Sequence, residues 1–264
     1  MSSEKIRFSH YSFFVCSETV KEKQTPNSQG ENKMLRLAQI TDLHIGGDYN
    51  GKYKVKENFE KVIKDIPKDV DILVITGDIA DSDYEKNYTY VQDVIEQNLK
   101  DTDYLAMVGN HDNREILESV FSNNFILSKV FNMHSINGRT MLSFVDTASG
   151  TLSDEEIDEI DAPIVFTHYP LAPIHHDFME RYSLIDIERV KQRIEERGIV
   201  KDVFCGHFHN ELTYFGKFNV HVTPATQCQI DPMQKEFAVS SYQAGYRLID
   251  LDNNEIVNNI VKYV

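Results

Sequence analysis

The sequence predicts an α/β fold, in which helices cover a layered β-sheet. The first basis is an alternation of short strand-like apolar runs with helix-patterned segments through most of the 264 residues. The second basis is a pair of regions, residues 125–146 and 211–264, where strand-like runs follow one another and indicate a second sheet. Asn137-Gly138 and Asn253-Asn254 supply turn signals between these consecutive strands.

The chain divides into an N-terminal extension, residues 1–33, and one domain, residues 34–264. A hydrophobic content of 41% over this length is ample for a single core. Within the extension, residues 8–16 predict an edge strand, and the polar, turn-rich residues 20–33 predict an exposed loop. An edge strand offers unpaired backbone groups to a second copy, so a homodimer is one expectation.

Charge and cysteine usage restrict the partners and the compartment. The formal net charge of −15 repels a polyanion, so general nucleic-acid binding is not expected. A small phosphorylated substrate remains compatible, because two bound cations would reverse the local field. The three cysteines form no C-x-x-C pair, and no apolar run is long enough to span a bilayer. We therefore expect a cytoplasmic protein with free thiols.

Five strand-like runs each end at side chains that commonly bind metals. Residues 34–40 lead to Asp42 and His44, residues 71–76 to Asp78, residues 104–108 to Asn110 and His111, residues 163–167 to His168, and residues 202–205 to His207 and His209. In open α/β sheets, ligands collect at the carboxyl ends of strands. The sequence therefore predicts that these side chains meet at one site.

Helices are predicted between these strands. Residues 55–66 and 84–99 have apolar side chains at every third or fourth position. A third helix is expected to start at Asp112, with the carboxylate of that residue as its N-cap. Residues 184–197 predict another helix, which Gly198 ends.

Each of these short motifs is weak evidence when taken alone. A Gly-Asp pair after a strand is more often a turn than a ligand, and a lone histidine such as His168 is by default structural. His207 and His209 carry more weight, because two histidines separated by one residue can share a face of an extended segment. All five motifs in one chain are much harder to obtain by chance.

The residue types suit the hydrolysis of a phosphate ester. Two cations about 3.5–4 Å apart can generate a nucleophile from water and polarise the phosphoryl oxygens. A carboxylate is suited to bridge them, because its charge lowers their mutual repulsion. Imidazole, carboxylate and amide ligands suit Fe, Mn, Zn or Ni, and the absence of thiolates from the set disfavours a structural zinc site.

In order, the blocks D-x-H, GD, GNHD, H and G-H-x-H resemble the calcineurin-like metallophosphoesterase superfamily. The resemblance implies a four-layer α-β-β-α sandwich of two mixed β-sheets flanked by helices. It also implies two metal ions, iron or manganese foremost, with zinc, nickel or cobalt as alternatives. The implied ligands are Asp42, His44 and His209 for the first metal, Asn110, His168 and His207 for the second, and Asp78 as the bridge.

The same resemblance assigns two further roles next to the metals. His111 would protonate the leaving oxygen, and Asp81 would orient His111. A loop cap is the alternative interpretation of Asp81, and a helix cap is the favoured interpretation of Asp112.

Segments around and beyond these blocks are similar to the bacterial class III cyclic-nucleotide phosphodiesterases. They are the CGHxHxEL block at residues 205–212, the TPxTxxQ block at residues 223–229, the Gly-Tyr-Arg turn at residues 245–247 and the His-Tyr-Pro-Leu run at residues 168–171. The resemblance covers residues 35–250. It implies hydrolysis of 3',5'-cyclic AMP to 5'-AMP by attack of a metal-bridging hydroxide.

Base recognition is expected from loops near residues 46–53, 169–176 and 224–231, with no single residue singled out. A broader phosphodiesterase or phosphomonoesterase, acting on glycerophosphodiesters or 2',3'-cyclic nucleotides, would use the same metal ligands. A non-catalytic scaffold of the same fold is a third alternative, although no motif residue is missing.

Overall fold

The structure, a computed structural model, describes residues 14–15, 34–48, 50–134, 140–252 and 254–264. The strands are β1 (Phe14–Val15), β2 (Leu35–Ile40), β3 (Ile72–Ile75), β4 (Asp103–Ala106), β5 (Val130–His134), β6 (Thr140–Val145), β7 (Ile164–Thr167), β8 (Asp202–Cys205), β9 (Leu212–Phe215), β10 (Asn219–Val222), β11 (Gln229–Ile230), β12 (Val239–Ser241), β13 (Gly245–Asp252) and β14 (Glu255–Tyr263). The helices are α1 (Val55–Asp65), α2 (Tyr84–Asn98), α3 (Arg114–Phe121), α4 (Asp154–Asp158) and α5 (Ile187–Arg197), with 3-10 turns at Ser122–Asn124 and Met179–Tyr182.

Two mixed sheets form the middle of the molecule. The five-stranded sheet has the order β14-β13-β2-β3-β4, in which β2, β3 and β4 are parallel. The seven-stranded sheet has the order β1-β5-β6-β7-β8-β10-β9, in which β6, β7, β8 and β10 are parallel. Strands β11 and β12 pair separately as a short antiparallel ribbon.

Alternate side chains of β2 and β3 point into two different buried layers. Leu37 and Val74 pack with Phe166 of β7 between the two sheets. The next residues along each strand, Ala38 and Ile75, pack in a second cluster with helices α1, α2 and α3. Helices α4 and α5 cover the outer face of the seven-stranded sheet through a third cluster. The predicted four-layer α-β-β-α sandwich is confirmed.

All five strands that were expected to carry the site are present, each within two residues of its predicted bounds. They are shared between the sheets, because β2, β3 and β4 lie in one and β7 and β8 in the other. The two strand-rich regions do not form a second sheet of their own. Strands β5, β6, β9 and β10 extend the seven-stranded sheet, whereas β13 pairs antiparallel with β2 and brings β14 into the five-stranded sheet.

The prediction that Asp112 caps a helix is wrong. Helix α3 begins at Arg114, and the side chain of Asn113 accepts the Ile116 N–H at 3.1 Å as the N-cap. Helix α5 begins at Ile187 rather than at residue 184, and Gly198 ends it in the left-handed region (φ 66°), as predicted.

Several predictions fall on residues that the structure does not describe. The Asn137-Gly138 turn lies outside them, although β5 and β6, which it would join, are antiparallel. The loop predicted over residues 20–33 also lies outside. From the edge strand predicted over residues 8–16, only β1 is described, and it pairs antiparallel with β5 at the sheet edge. Within the described ranges, no helix is long and apolar enough to cross a membrane.

Candidate metal centre and active site

The motif side chains converge where the carboxyl ends of β2, β3 and β4 meet those of β7 and β8. Their potential ligand atoms form three overlapping groups, within each of which all atoms lie within 4.8 Å of one another. The groups are Asp42, His44 and His209; Asp78, His168 and His207; and His44, Asp78 and His111. The first two groups contain the histidines and carboxylates of the two ligand sets that the resemblance implies, with Asp78 in the second group.

Asp78 lies between the two sets. Its Oδ2 atom is 3.4 Å from Nε2 of His168 and 3.6 Å from Nε2 of His44. One carboxylate oxygen therefore faces a histidine of each set, which is the position that a bridging ligand needs. Asn110 joins the second set through its side chain, because its Oδ1 is 3.0 Å from Nε2 of His168.

Four histidines of these sets each direct one ring nitrogen to an oxygen atom outside the set. The pairs are His44 Nδ1 with Asp81 Oδ1 (2.7 Å), His168 Nδ1 with the Thr76 carbonyl (2.8 Å), His207 Nε2 with the Tyr182 carbonyl (3.0 Å) and His209 Nδ1 with the Cys228 carbonyl (3.2 Å). Because these oxygens only accept, the histidine nitrogens must donate. This arrangement fixes the tautomer and leaves the other nitrogen for a metal, as is usual for metal-binding histidines.

The contact between His44 and His209 supports the same interpretation. Their Nε2 atoms are 3.1 Å apart while both Nδ1 atoms donate elsewhere, so the two Nε2 atoms face one point. Burial would lower the pKa of His209, but Asp42 outweighs that effect and raises the pKa well above its ordinary value. The donor set therefore fits a metal ion at this position.

The carboxylates also require positive charge beside them. Burial would raise the pKa of Asp42, yet His209 outweighs it and lowers the pKa to about 2. Burial likewise opposes ionisation of Asp78, and His168 foremost holds the pKa of Asp78 well below its ordinary value. In return, Asp78 overcomes the effect of burial on His168 and raises its pKa to about 9. Two buried carboxylates that stay ionised are typical of a cation site.

Backbone conformation at the site is unusual. Five of the seven predicted ligands have a positive φ: Asp42 (52°), His44 (48°), Asp78 (53°), His207 (67°) and His209 (49°). Residues with side chains rarely adopt this region, and each such residue costs of the order of 1 kcal/mol. Close approach of the loops also demands glycine at position 109, because a Cβ atom there would overlap the carboxylate of Asp78.

Asp81 connects the first ligand set to His111. The Oδ1 atom of Asp81 accepts from Nδ1 of His111 at 3.0 Å and from Nδ1 of His44 at 2.7 Å. This hydrogen bond is the first cause of the raised pKa of His111, whose side chain is 48% exposed. The His111 backbone N–H donates to Asp78 Oδ1 at 2.9 Å, so the residue is also held beside the bridging carboxylate. This geometry is the one that an orienting role for Asp81 requires.

Asp112 makes hydrogen bonds beside the site that the sequence did not indicate. Its Oδ1 accepts the N–H groups of Ile79 (2.9 Å) and Ala80 (3.1 Å) and the hydroxyl of Tyr88 (3.0 Å). Its Oδ2 accepts the Gly109 N–H at 2.9 Å. Asp112 thereby ties the loop after β3 to the loop after β4, next to Asp78 and Asn110. Locally, a carboxylate ahead of a helix gives the same signal as a cap, so no sequence feature distinguished the two.

A cavity of about 520 Å³ opens at the metal centre. Besides residues of the ligand sets, Asp81 and His111, it is lined by Tyr53, Phe178, Met179, Tyr182, Gln227, Ile230 and Phe237. Two of the three loops expected to recognise a base contribute lining residues, and the loop at residues 169–176 contributes none. The aromatic residues at 178, 182 and 237 were missed, because they lie in irregular segments without a motif.

The residues that carry the class III resemblance beyond the metal ligands are mainly structural. Thr223 donates its hydroxyl to Gln39 Oε1 at 2.6 Å and accepts from Arg247 at 2.9 Å, all in the buried interior. Gln229 Nε2 donates to the Ala225 carbonyl at 2.8 Å. Among the residues of the TPxTxxQ block, only Gln227 lines the cavity.

The sequence matches a family of known proteins that have such a site. Residues 35–211 match the family model described as calcineurin-like phosphoesterase. The chain belongs to the calcineurin-like phosphoesterase family. The predicted class, a metal-dependent phosphoesterase, is confirmed, and members of this family use two metal ions.

Two curated relatives and one solved structure resemble this phosphoesterase over most of its length. It is 34% identical over 244 residues to a probable cyclic nucleotide phosphodiesterase of Fibrobacter succinogenes, covering 85% of this chain and 92% of that protein. It is 26% identical over 249 residues to the 3',5'-cyclic adenosine monophosphate phosphodiesterase CpdA of Vibrio vulnificus, covering 86% and 89%. A dimetal phosphatase of Danio rerio gives a TM-score of 0.55 at 12% identity, over 86% of this phosphoesterase and 98% of that chain. The structural likeness shows the fold alone.

Proposed function

We propose that this phosphoesterase is a dinuclear-metal phosphodiesterase that hydrolyses 3',5'-cyclic AMP to 5'-AMP. The observation that carries the proposal is the position of Asp78, which contacts a histidine of each ligand set and lines one cavity together with the half-exposed His111. The names of the two relatives support a cyclic nucleotide as the substrate. The cavity volume lies in the range of small-molecule sites.

The ligand assignment follows the two sets. Asp42, His44 and His209 would hold the first metal ion, Asn110, His168 and His207 the second, and Asp78 would contact both. When bound, the two ions supply an activated water and charge stabilisation for the phosphoryl oxygens. Iron and manganese are the ions that we propose, because histidine with carboxylate and amide oxygen suits them.

His111 is proposed as the general acid. An oxygen derived from water would form the new bond to phosphorus. As the bond between phosphorus and the 3'-oxygen breaks, that oxygen takes the proton from Nε2 of His111, and a 5'-nucleotide with a free 3'-hydroxyl results. The Nδ1 atom is occupied by Asp81 at 3.0 Å, so Nε2 is the nitrogen that remains for the substrate. The raised pKa of His111 keeps the ring protonated over a wider pH range, as an acid requires.

The test compares kcat/KM for 3',5'-cyclic AMP, cyclic GMP, 2',3'-cyclic AMP and glycerophosphodiesters, with native metals and with added Mn²⁺. We expect 3',5'-cyclic AMP to be the preferred substrate. A preference of about a hundredfold for 2',3'-cyclic AMP or a glycerophosphodiester, or roughly 2.7 kcal/mol in transition-state binding, would contradict the proposal and favour the broader phosphodiesterase. Absence of all diester hydrolysis, unchanged in a His111→Ala variant, would favour the non-catalytic scaffold.

A further inference from the structure

Tyr182 and Phe237 are two aromatic residues that line the active-site cavity. The inference drawn from them rests on the proposed function. We propose that their rings form the platform on which the purine base of the cyclic nucleotide stacks while its phosphate lies at the metal centre. Nothing in the sequence motifs distinguishes these residues.

Both rings are exposed at the edge of the active-site cavity. Tyr182 is 48% exposed and Phe237 is 50% exposed, and both line the cavity that His111 and His207 also line. Exposed aromatic rings beside a charged centre give a nucleotide the two surfaces it needs, one apolar and flat and one polar. Base stacking on such rings is a general mode of nucleotide recognition.

A third ring holds the two exposed rings in one group. The centroid of Phe178 is 5.5 Å from that of Tyr182 and 5.7 Å from that of Phe237. The guanidinium of Arg181 lies over the Phe178 ring, 5.2 Å from its centroid. Phe178 also lines the cavity but is packed between its neighbours and partly buried, and Tyr182 and Phe237 are the more exposed members of the group.

Hydrogen bonds fix the two segments to each other. The Asp177 N–H donates to the Pro232 carbonyl at 2.9 Å, and the Arg181 side chain donates to the Lys235 carbonyl at 2.7 Å. Each bond joins the segment that carries Tyr182 to the segment that carries Phe237. The platform is thus built before a ligand arrives, which lowers the entropic cost of binding.

The platform is also tied to the metal centre. The Tyr182 carbonyl accepts the ring N–H of His207 at 3.0 Å, and His207 is a predicted ligand of the second metal. This hydrogen bond to a backbone carbonyl therefore links the second ligand set to the segment that carries the Tyr182 ring. Replacing the Tyr182 side chain leaves this contact in place, because the backbone carbonyl makes it. The ring can therefore be tested separately from the contact to His207.

The experiment uses Tyr182→Leu and Phe237→Leu in the metal-loaded protein, with two substrates. One is 3',5'-cyclic AMP, and the other is ribose 3',5'-cyclic phosphate, which lacks the base. We expect each variant to lower kcat/KM for cyclic AMP by about tenfold, mainly through KM, the change expected for one lost stacking contact. The base-free diester should change by less than about twofold, since it makes no stacking contact.

Controls separate the rings from folding and from the metals. Phe215→Leu removes a ring that is 77% exposed on β9 and does not line the cavity, so it should alter neither substrate. Metal content per chain should be the same in all variants, because the bond to His207 comes from the backbone.

The outcomes also distinguish this inference from the proposed function. Cyclic AMP hydrolysis in the wild type, with an equal loss for both substrates or no loss in the Leu variants, would overturn the platform and leave the proposed function standing. Hydrolysis of the base-free diester with no activity on cyclic AMP in the wild type would overturn both.

Discussion

Replacing Asp112 with Asn tests whether this residue fixes the metal loops or caps helix α3. The carboxylate accepts four hydrogen bonds, from Ile79, Ala80, Tyr88 and Gly109. An amide in the same place can still accept three, but its NH₂ group then faces the Gly109 N–H, so one charge-assisted bond is lost and one backbone donor is left unsatisfied. We expect a loss of about 2 kcal/mol in the free energy of unfolding, or roughly 4–8 °C in Tm.

The matched control is Asn113→Ala, which removes the actual cap of helix α3. Loss of an N-cap costs about 1 kcal/mol and should leave metal binding unchanged. Asp112→Asn should in addition weaken metal binding by about tenfold or more, the usual effect of losing a group that orients ligands. Denaturant unfolding of metal-free protein and titration with Mn²⁺ measure the two effects. Equal stability losses in the two variants, with equal metal affinities, would refute the reasoning.

Three further predictions concern the ionisable groups. His111→Gln should lower kcat by about 10²–10⁴-fold without loss of bound metal, because only the proton donor is removed; elemental analysis and cyclic AMP turnover measure this. His111 donates its proton only below its raised pKa, so kcat should fall as pH rises through that pKa, and Asp81→Asn should move this limb to lower pH; an unmoved limb would assign it to another group. In metal-free protein, Asp42, with a pKa of about 2, contributes stability above its unfolded pKa near 4 that is lost as pH falls towards 2. His168, with a pKa of about 9, contributes stability below about pH 6.5 that is lost as pH rises through 9. The free energy of unfolding, measured with a chemical denaturant, should therefore be highest between about pH 4 and about pH 6.5.

The sequence was sufficient for features that depend on local pattern. Strand β2 followed by Asp42 and His44 is an example, because a buried apolar run and the ligands after it are adjacent in the chain. Because ligands lie at the carboxyl ends of strands in open α/β sheets, the motifs could be predicted to form one site without knowing which strands pair. Residue roles in metal binding and catalysis stay predictions, although the structure places the side chains as those roles require.

Features that depend on long-range pairing were not predictable in the same way. The two strand-rich regions gave the same local signal, yet their strands join different sheets. Strand β13 pairs with β2 and carries β14 at its other edge, whereas β6 pairs with β7 and carries β5 at its other edge. The strand with which a given strand pairs depends on side-chain packing across the whole sheet. The role of Asp112 has the same origin, since three of its four donors lie 24 to 33 residues earlier in the chain.

The left-handed backbone at five predicted metal ligands sets a limit on how this protein can change. Residues such as Asp42 and His209 occupy conformations that glycine or asparagine adopts at lower cost. Selection or engineering for thermal stability alone would therefore favour replacements at the very positions that bind the metals. The surrounding sheets have to supply the stability that these loops lack. Improvements in stability that preserve activity should accordingly be sought in the helices and sheet edges, away from the strand ends.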